Sequence, residues 1–140
     1  MQAPTAYLQF DGRCAEALTF YAETLGGQVV MMSKYSEAPP SSNMPSVPEH
    51  WIMHGRLQWP GGGMLMGSDG GMEPFRGVKG VSLSANCADV AGGKKVFDAL
   101  AAGGTVKMPF SAMFWSPGFG LLVDRFGVPW MVNVEHAPAA

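Results

Sequence analysis

Apolar and polar positions alternate from Thr5 to Phe10, so Leu8 and Phe10 share one face of a short strand and Tyr7 and Gln9 the other. The period then changes. Cys14, Ala17, Leu18, Tyr21 and Leu25 recur at helical spacing, and Gly26-Gly27 supplies a stop signal. Gln28 to Tyr35 is rich in β-branched residues and Met, and His50 to Trp59 alternates. Pro60-Gly61-Gly62-Gly63 then turns the chain into Met64-Leu65-Met66. The first half predicts a strand, a helix and three further strands.

The second half repeats that order. Phe20-Tyr21 leading to Leu25-Gly26-Gly27 and Val29 is echoed 77 residues later by Phe97-Asp98 leading to Gly103-Gly104 and Val106. Gly80 to Ala85 reads as a strand, with Val81, Leu83 and Ala85 toward the helix and Ser82 and Ser84 away from it. Asp89 reads as an N-cap, and Val96, Phe97 and Leu100 form an apolar stripe that Gly103-Gly104 closes. Thr105 to Phe110, Phe119 to Val123 and Val128 to Val134 complete the set, the last two joined by Asp124-Arg125-Phe126-Gly127. The fold class is therefore α+β, with two βαβββ modules in tandem. Module one covers about 4–69, a linker about 70–78, and module two about 79–135.

Two segments break the symmetry. Ser36 to Glu49 holds Pro39, Pro40, Pro45 and Pro48 with Ser41, Ser42 and Asn43, a composition that excludes regular structure. Such a loop is either a lid or a mobile connection, and Met44 is its only large apolar anchor before Val47. Gly67 to Gly77 is Gly- and Met-rich and joins the two halves.

Composition narrows the class of protein. With 140 residues, 47% of them hydrophobic and 14% charged, the chain is long and apolar enough for a real core and is not a disordered sequence. A net charge of -2 without a Lys/Arg cluster argues against nucleic acid as partner. No apolar run approaches the roughly 20 residues that span a bilayer, and the N-terminus lacks signal-peptide character. A soluble cytoplasmic protein is expected, with no membrane partner. Cys14 and Cys87 are each expected near the start of a helix, at equivalent positions of the repeat, as two small buried thiols or as a disulfide pair.

Several stretches together carry a family resemblance. Tyr7 to Tyr21 with Leu25-Gly26-Gly27, then His54-Gly55-Arg56-Leu57, then Met64 to Asp69, and finally Asp124 to Trp130, resemble the PhnB-like branch of the vicinal oxygen chelate superfamily. That superfamily includes glyoxalase I, extradiol dioxygenases and antibiotic-resistance proteins, and some PhnB-like members carry a methyltransferase-like label. The resemblance implies a strongly curved mixed sheet in each module, with a helix outside and a cavity inside. It also implies homodimers. In metal-dependent relatives four ligands come from four strands. The matching positions here fall near Thr5, His54, Gly80 and Met131, of which only His54 binds a hard divalent ion well. A catalytic metal usually takes three protein ligands, so no metal and no other cofactor is expected.

His54 is the leading candidate for chemistry. Alternation places Ile52, His54, Arg56 and Gln58 on one face and Trp51, Met53, Leu57 and Trp59 on the other, beneath the helix. His54 would serve as a general base or hydrogen-bonding anchor, or as a structural histidine satisfied by a neighbour. His50 and His136 read as exposed. Tyr7, Gln9, Arg56, Ser82, Ser84, Trp115, Met131 and Asn133 join His54 as candidate ligand-binding residues, giving a mostly polar and nearly uncharged lining. Phe114, Trp115 and Phe119 surround Ser116-Pro117-Gly118 as an aromatic flap or as a plain hydrophobic cluster. Asp89, Asp98 and Asp124 are accounted for by a cap, a solvated helix face and a turn. Gly61-Gly62-Gly63 lacks the Lys and following helix of a phosphate loop. The expected function is metal-independent binding of a small molecule. An enzyme of the same superfamily using His54 as base or metal ligand is the alternative.

Overall fold

In the computed structural model the described residues are 1–39, 43–70 and 74–135, and the chain divides into two units, Met1–Gly77 and Val78–Ala140. The first contains β1 (Tyr7–Phe10), α1 (Cys14–Leu25), β2 (Gln28–Lys34), β3 (Ile52–Gln58) and β4 (Met64–Asp69). Its strands lie in the order β1-β4-β3-β2, with β1 parallel to β4 and the other pairs antiparallel. The second contains β5 (Leu83–Cys87), α2 (Val90–Ala101), β6 (Thr105–Met113), β7 (Ser116–Val123) and β8 (Pro129–Val134) in the matching order β5-β8-β7-β6. Each unit is the βαβββ module that the repeat predicts, a mixed sheet with one helix packed on it.

The helices form where the periodicity changes. α1 buries Cys14, Ala17, Leu18, Tyr21 and Ala22, so Ala22 takes the place expected for the half-buried Leu25. It ends at Gly26, whose φ of 78° would strain any residue with a Cβ, and both Gly26 N–H and Gly27 N–H donate to Ala22 C=O. Asp89 caps α2 by accepting from Gly92 N–H at 2.6 Å. Each helix sits over a glycine of the central strand pair. A Cβ at Gly55 would lie 2.6 Å from Leu18 Cδ1, and one at Gly120 would lie 2.6 Å from Phe97 Cε2. Beneath α1 lie Leu8, Phe10, Leu57 and Leu65, and beneath α2 lie Leu122, Trp130, Val132 and Val134. Full burial of side chains of this size contributes about 1.5–3 kcal/mol each.

Several boundaries differ from the sequence pattern. β4 continues through Gly67, Ser68 and Asp69, because all three pack in the core instead of opening the linker. β5 starts at Leu83, so Val81 and Ser82 precede the strand. β6 and β7 run to Met113 and from Ser116, leaving only Phe114 and Trp115 in the turn. The β2–β3 connection is not wholly irregular. It opens with a 3-10 turn at Tyr35–Glu37, where Glu37 Oε2 accepts from Lys34 N–H at 2.9 Å. Pro40, Ser41 and Ser42 of that connection, and His136, lie outside the described residues.

Strand β3 also departs from simple alternation. Ser33 pairs with His54 but Lys34 pairs with Ile52, so one extra residue of β3 is accommodated there. The bulge reverses the facing of Ile52, which is buried with Gly55 and Leu57 and does not share the His54 face. The cysteines are not equivalent either. Cys87 ends β5, two residues before the α2 N-cap, and the residue 77 positions on from Cys14 is Ala91.

One buried carboxylate ties the first unit together. Asp69, 1% exposed, accepts from Gly12 N–H and Cys14 N–H through Oδ1 and from Ile52 N–H through Oδ2, each at 2.9 Å. Its own C=O accepts from Tyr35 Oη–H at 2.7 Å. Removing the carboxylate leaves three backbone donors without this acceptor, each costing about 1–3 kcal/mol where no water reaches it. Asp69→Ala is therefore expected to lower unfolding stability by about 3 kcal/mol or more in urea titration. Asp69→Asn should lie between it and the parent, because its amide keeps one acceptor oxygen but turns a donor toward one of the three N–H groups.

Candidate functional site

The face of the first sheet opposite α1 is organised by its registers. Tyr7 pairs with Met66, Met66 with Arg56, and Arg56 with Met31, which places these four side chains in one cross-strand row. Two residues along β1 and β3 from that row stand Gln9 and His54. Tyr7 and His54 meet directly. Tyr7 Oη lies 2.9 Å from His54 Nδ1, and their rings stack with centroids 5.6 Å apart at 24°. When the phenol donates, the neutral imidazole carries its proton on Nε2, which leaves that N–H for another acceptor.

Arg56 stands beside this pair without a partner among the described residues. Its Nε is buried and makes no hydrogen bond, and the guanidinium forms no ion pair among the described residues. Two ion pairs among the described residues, Arg13 with Glu16 and Lys94 with Asp98, each join exposed residues on one helix or at its start. Tyr35, donor to the Asp69 carbonyl, has its hydroxyl pKa raised first by burial and then by Tyr7, Asp69 and Cys14, so it remains a protonated donor near neutral pH.

The corresponding face of the second unit is built from different side chains. Ser84 pairs with Met131, Asn86 with Asn133, and Asn133 with Phe119, while Leu121 pairs with Met131. Ser84 Oγ lies 3.3 Å from Asn86 Oδ1. Matching registers make Ser84 the counterpart of Tyr7, Phe119 of His54 and Leu121 of Arg56. Met131 and Asn133 face away from α2, as alternation predicts, since Trp130 and Val132 are the buried pair. Ser82 is exposed before β5 and joins neither row. Trp115 sits at the β6–β7 turn, edge-on to Phe114 at 4.7 Å and to Phe119 at 5.4 Å. Phe114 itself is 95% exposed. Ser116 and Gly118 lie in β7 and are buried, so they are not the tip of an aromatic flap. Ser116 Oγ lies within donating distance of Gly118 C=O and Val134 C=O, at 2.7 and 2.8 Å.

Sequence reading passed over Asn86, Phe119 and Met66 as members of these faces, and Asp69 as their anchor. Asn86 was legible in principle, because Ser82, Ser84 and Asn86 keep one alternation that continues past the expected strand end.

The four positions suggested for a metal do not supply a ligand set. Thr5 and Gly80 precede their strands, Met131 offers only a thioether, and His54 Nδ1 is engaged by Tyr7. Among the described residues no three His, Cys, Asp or Glu side chains are grouped so as to hold a metal ion. Thr5 instead lines a half-open recess of about 460 Å³ with Gln2, Pro4, Gly62 and Met64, and none of Tyr7, His54 and Arg56 reaches it. No helix among the described residues is long and apolar enough to cross a membrane.

Paired βαβββ modules define the fold class of the glyoxalase and bleomycin-resistance proteins. The structure of a glyoxylase/bleomycin resistance protein/dioxygenase domain from Frankia sp. EAN1pec is similar with a TM-score of 0.64, covering 97% of this chain and 98% of that one. At 13% identity this is a likeness of fold alone. Protein PA1353 from Pseudomonas aeruginosa is 39% identical, with a TM-score of 0.88 over 98% of this chain and all of that one. The putative 3-demethylubiquinone-9 3-methyltransferase, PhnB protein, from Bacillus cereus is 28% identical, with a TM-score of 0.78 over 95% and 99% of the two chains. The family model described as 3-demethylubiquinone-9 3-methyltransferase matches residues 2–133. The chain belongs to that family, the PhnB-like branch of the vicinal oxygen chelate superfamily.

Neither thiol is placed for nucleophilic work. Both are free, Cys14 buried and Cys87 half-buried. Burial pushes the Cys14 thiol far above its ordinary range, and the Asp69 carboxylate raises it further. Cys87 is raised by burial and then by Asp89. A raised pKa lowers the thiolate fraction at any given pH, and the thiolate is the attacking species. With Ellman's reagent at pH 8, Cys87 is expected to react first and Cys14 only after urea unfolding. Equal rates for the two in the native protein would contradict this order.

Proposed function

We propose that the protein is a metal-independent small-molecule-binding member of its family, acting through the sheet faces opposite its helices. The observation that carries this reading is the Tyr7–His54 hydrogen bond beside Arg56, whose guanidinium has no ion-pair partner among the described residues. A donor set with one imidazole and no carboxylate does not favour retention of a hard divalent ion. The polar, uncharged Ser84, Asn86 and Asn133 of the second unit suit hydrogen bonding to an oxygen-rich ligand.

The second reading is an enzyme in which His54 moves a proton, and the same hydrogen bond is what favours it. A phenol bonded to Nδ1 orients the imidazole: with the phenol as donor, Nε2–H faces a substrate as an acid, and with Nδ1–H donating to Tyr7 Oη, Nε2 faces it as a base. Methyl transfer, the activity in the family's description, receives no particular support from this face. The Gly61–Gly63 turn joins two antiparallel strands and does not open a helix.

Titration with zinc, nickel, manganese and iron(II), followed by gel filtration and elemental mass spectrometry, is expected to leave no stoichiometric metal on the protein. Retained metal at one per chain would replace the binding-module reading with a chelation enzyme. In a fragment screen by thermal shift, a ligand at about 100 times its Kd stabilises by about 2.7 kcal/mol. His54→Ala should abolish that shift for ligands of this face without altering the unliganded melting temperature. Turnover of a bound compound, lost in the same variant, would favour the enzyme.

A homodimer belongs to the same proposal. Val29 and Val30 on edge strand β2 are 40% and 47% exposed, an apolar edge that a second chain would cover. Light scattering at micromolar concentration should give twice the 14.8 kDa chain mass, and a monomeric mass would refute the dimer.

A further inference from the structure

We infer that the first unit's sheet face holds the carboxylate of a small organic acid, gripped by Arg56 and flanked by the Tyr7–His54 pair. The inference rests on the small-molecule-binding reading and names the ligand class for one of its faces. Arg56 supplies a planar cationic fork whose Nε is already out of water and unbonded. Because Nε is shielded, a carboxylate meets the fork through its terminal Nη groups, and the guanidinium has no ion-pair partner among the described residues to compete with it. The row Tyr7–Met66–Arg56–Met31 puts a methionine on either side of Arg56, and strand spacing places neighbouring residues of the row about 5 Å apart. A ligand bonded to Arg56 therefore lays its body against thioether and phenol surface, and Tyr7 and Met31 are 45% and 43% exposed there.

Charge selects the class of anion. One guanidinium beside a phenol and an imidazole matches the single charge and planar oxygens of a carboxylate, which binds Arg through two parallel hydrogen bonds. A phosphate dianion is usually held by several cations or by a helix N-terminus, and among the described residues this face has neither. The equivalent row of the second unit, with Ser84 and Leu121 at the positions of Tyr7 and Arg56, lacks the cation. Carboxylate binding is thus specific to the first unit.

The test uses the full chain, labelled with ¹⁵N, and three matched probes: benzoate, benzamide and phenylphosphonate. Benzoate is expected to move the Arg56 Nε–H resonance and the backbone amides of Tyr7, His54 and Met66, and to bind at least about tenfold more tightly than benzamide. Arg56→Met should remove that preference, while Arg56→Lys, which keeps the charge without the fork, should retain part of it. The wild-type Nε–H signal keeps the test decisive if a variant fails to fold. Equal binding of benzoate and benzamide, or tighter binding of phenylphosphonate, would overturn the carboxylate assignment and leave the small-molecule reading standing. A fragment library in which neither neutral nor anionic compounds bind would sink both.

Discussion

The carboxylate of Asp69 is the constraint on which the first unit depends. Two residues of the β1–α1 junction, the first residue of β3 and the tyrosine that opens the β2–β3 connection all bond to this one residue. β1 and β3 flank β4 on opposite sides, so Asp69 at the end of the middle strand is positioned to lock both neighbours. The consequence reaches the candidate site. Tyr7 and His54 lie on those same two strands, and their 2.9 Å contact requires β1 and β3 to hold their register against β4. A buried charge satisfied by backbone donors thus sets the geometry of an exposed pair several residues away.

The second unit meets the same structural need at a different corner. The residue matching Asp69 is Val134, and the polar anchor lies instead at Asp124, in the β7–β8 turn. Asp124 accepts from Phe126 N–H, Val128 N–H and the Trp130 indole N–H at 2.8 to 3.0 Å. At the matching turn of the first unit stands Trp59, whose indole donates to Leu25 C=O, the last residue of α1. Backbone hydrogen bonding is nonetheless alike. Trp59 N–H to Gly63 C=O corresponds to Asp124 N–H to Val128 C=O, and Gly70 N–H to Phe10 C=O corresponds to Glu135 N–H to Cys87 C=O. Duplication has kept the path of the chain while exchanging the side chains that pin it. Chemistry has separated along with the anchors, because Tyr7, His54 and Arg56 stand where the second unit has Ser84, Phe119 and Leu121.

Much of the fold was legible because it follows from local periodicity. The switch from period 2 to helical spacing at Cys14, the stop at Gly26, the Asp89 cap and the Asp124–Gly127 turn are decided by residues close to one another in the chain. The candidate site was legible in its members on regular strand. Tyr7, Gln9, Ser84, Met131 and Asn133 face as alternation requires. It failed where alternation was broken or where strand ends were misjudged. The extra residue in β3 turned Ile52 to the helix side, the late start of β5 left Ser82 outside its row, and its continuation to Cys87 brought Asn86 inside it.

The sequence by itself determined two βαβββ modules, the family, and which residue types line each sheet, since these depend on spacing along the chain and on composition. Only the tertiary structure decided that Asp69 is a buried hub and not part of a linker, and that Tyr7 bonds His54 while Arg56 stands unpaired among the described residues. Each of those outcomes is set by cross-strand register, which joins residues as far apart as 7 and 54. Register is a property of paired strands and of the bulge between them, and no single strand's periodicity encodes it.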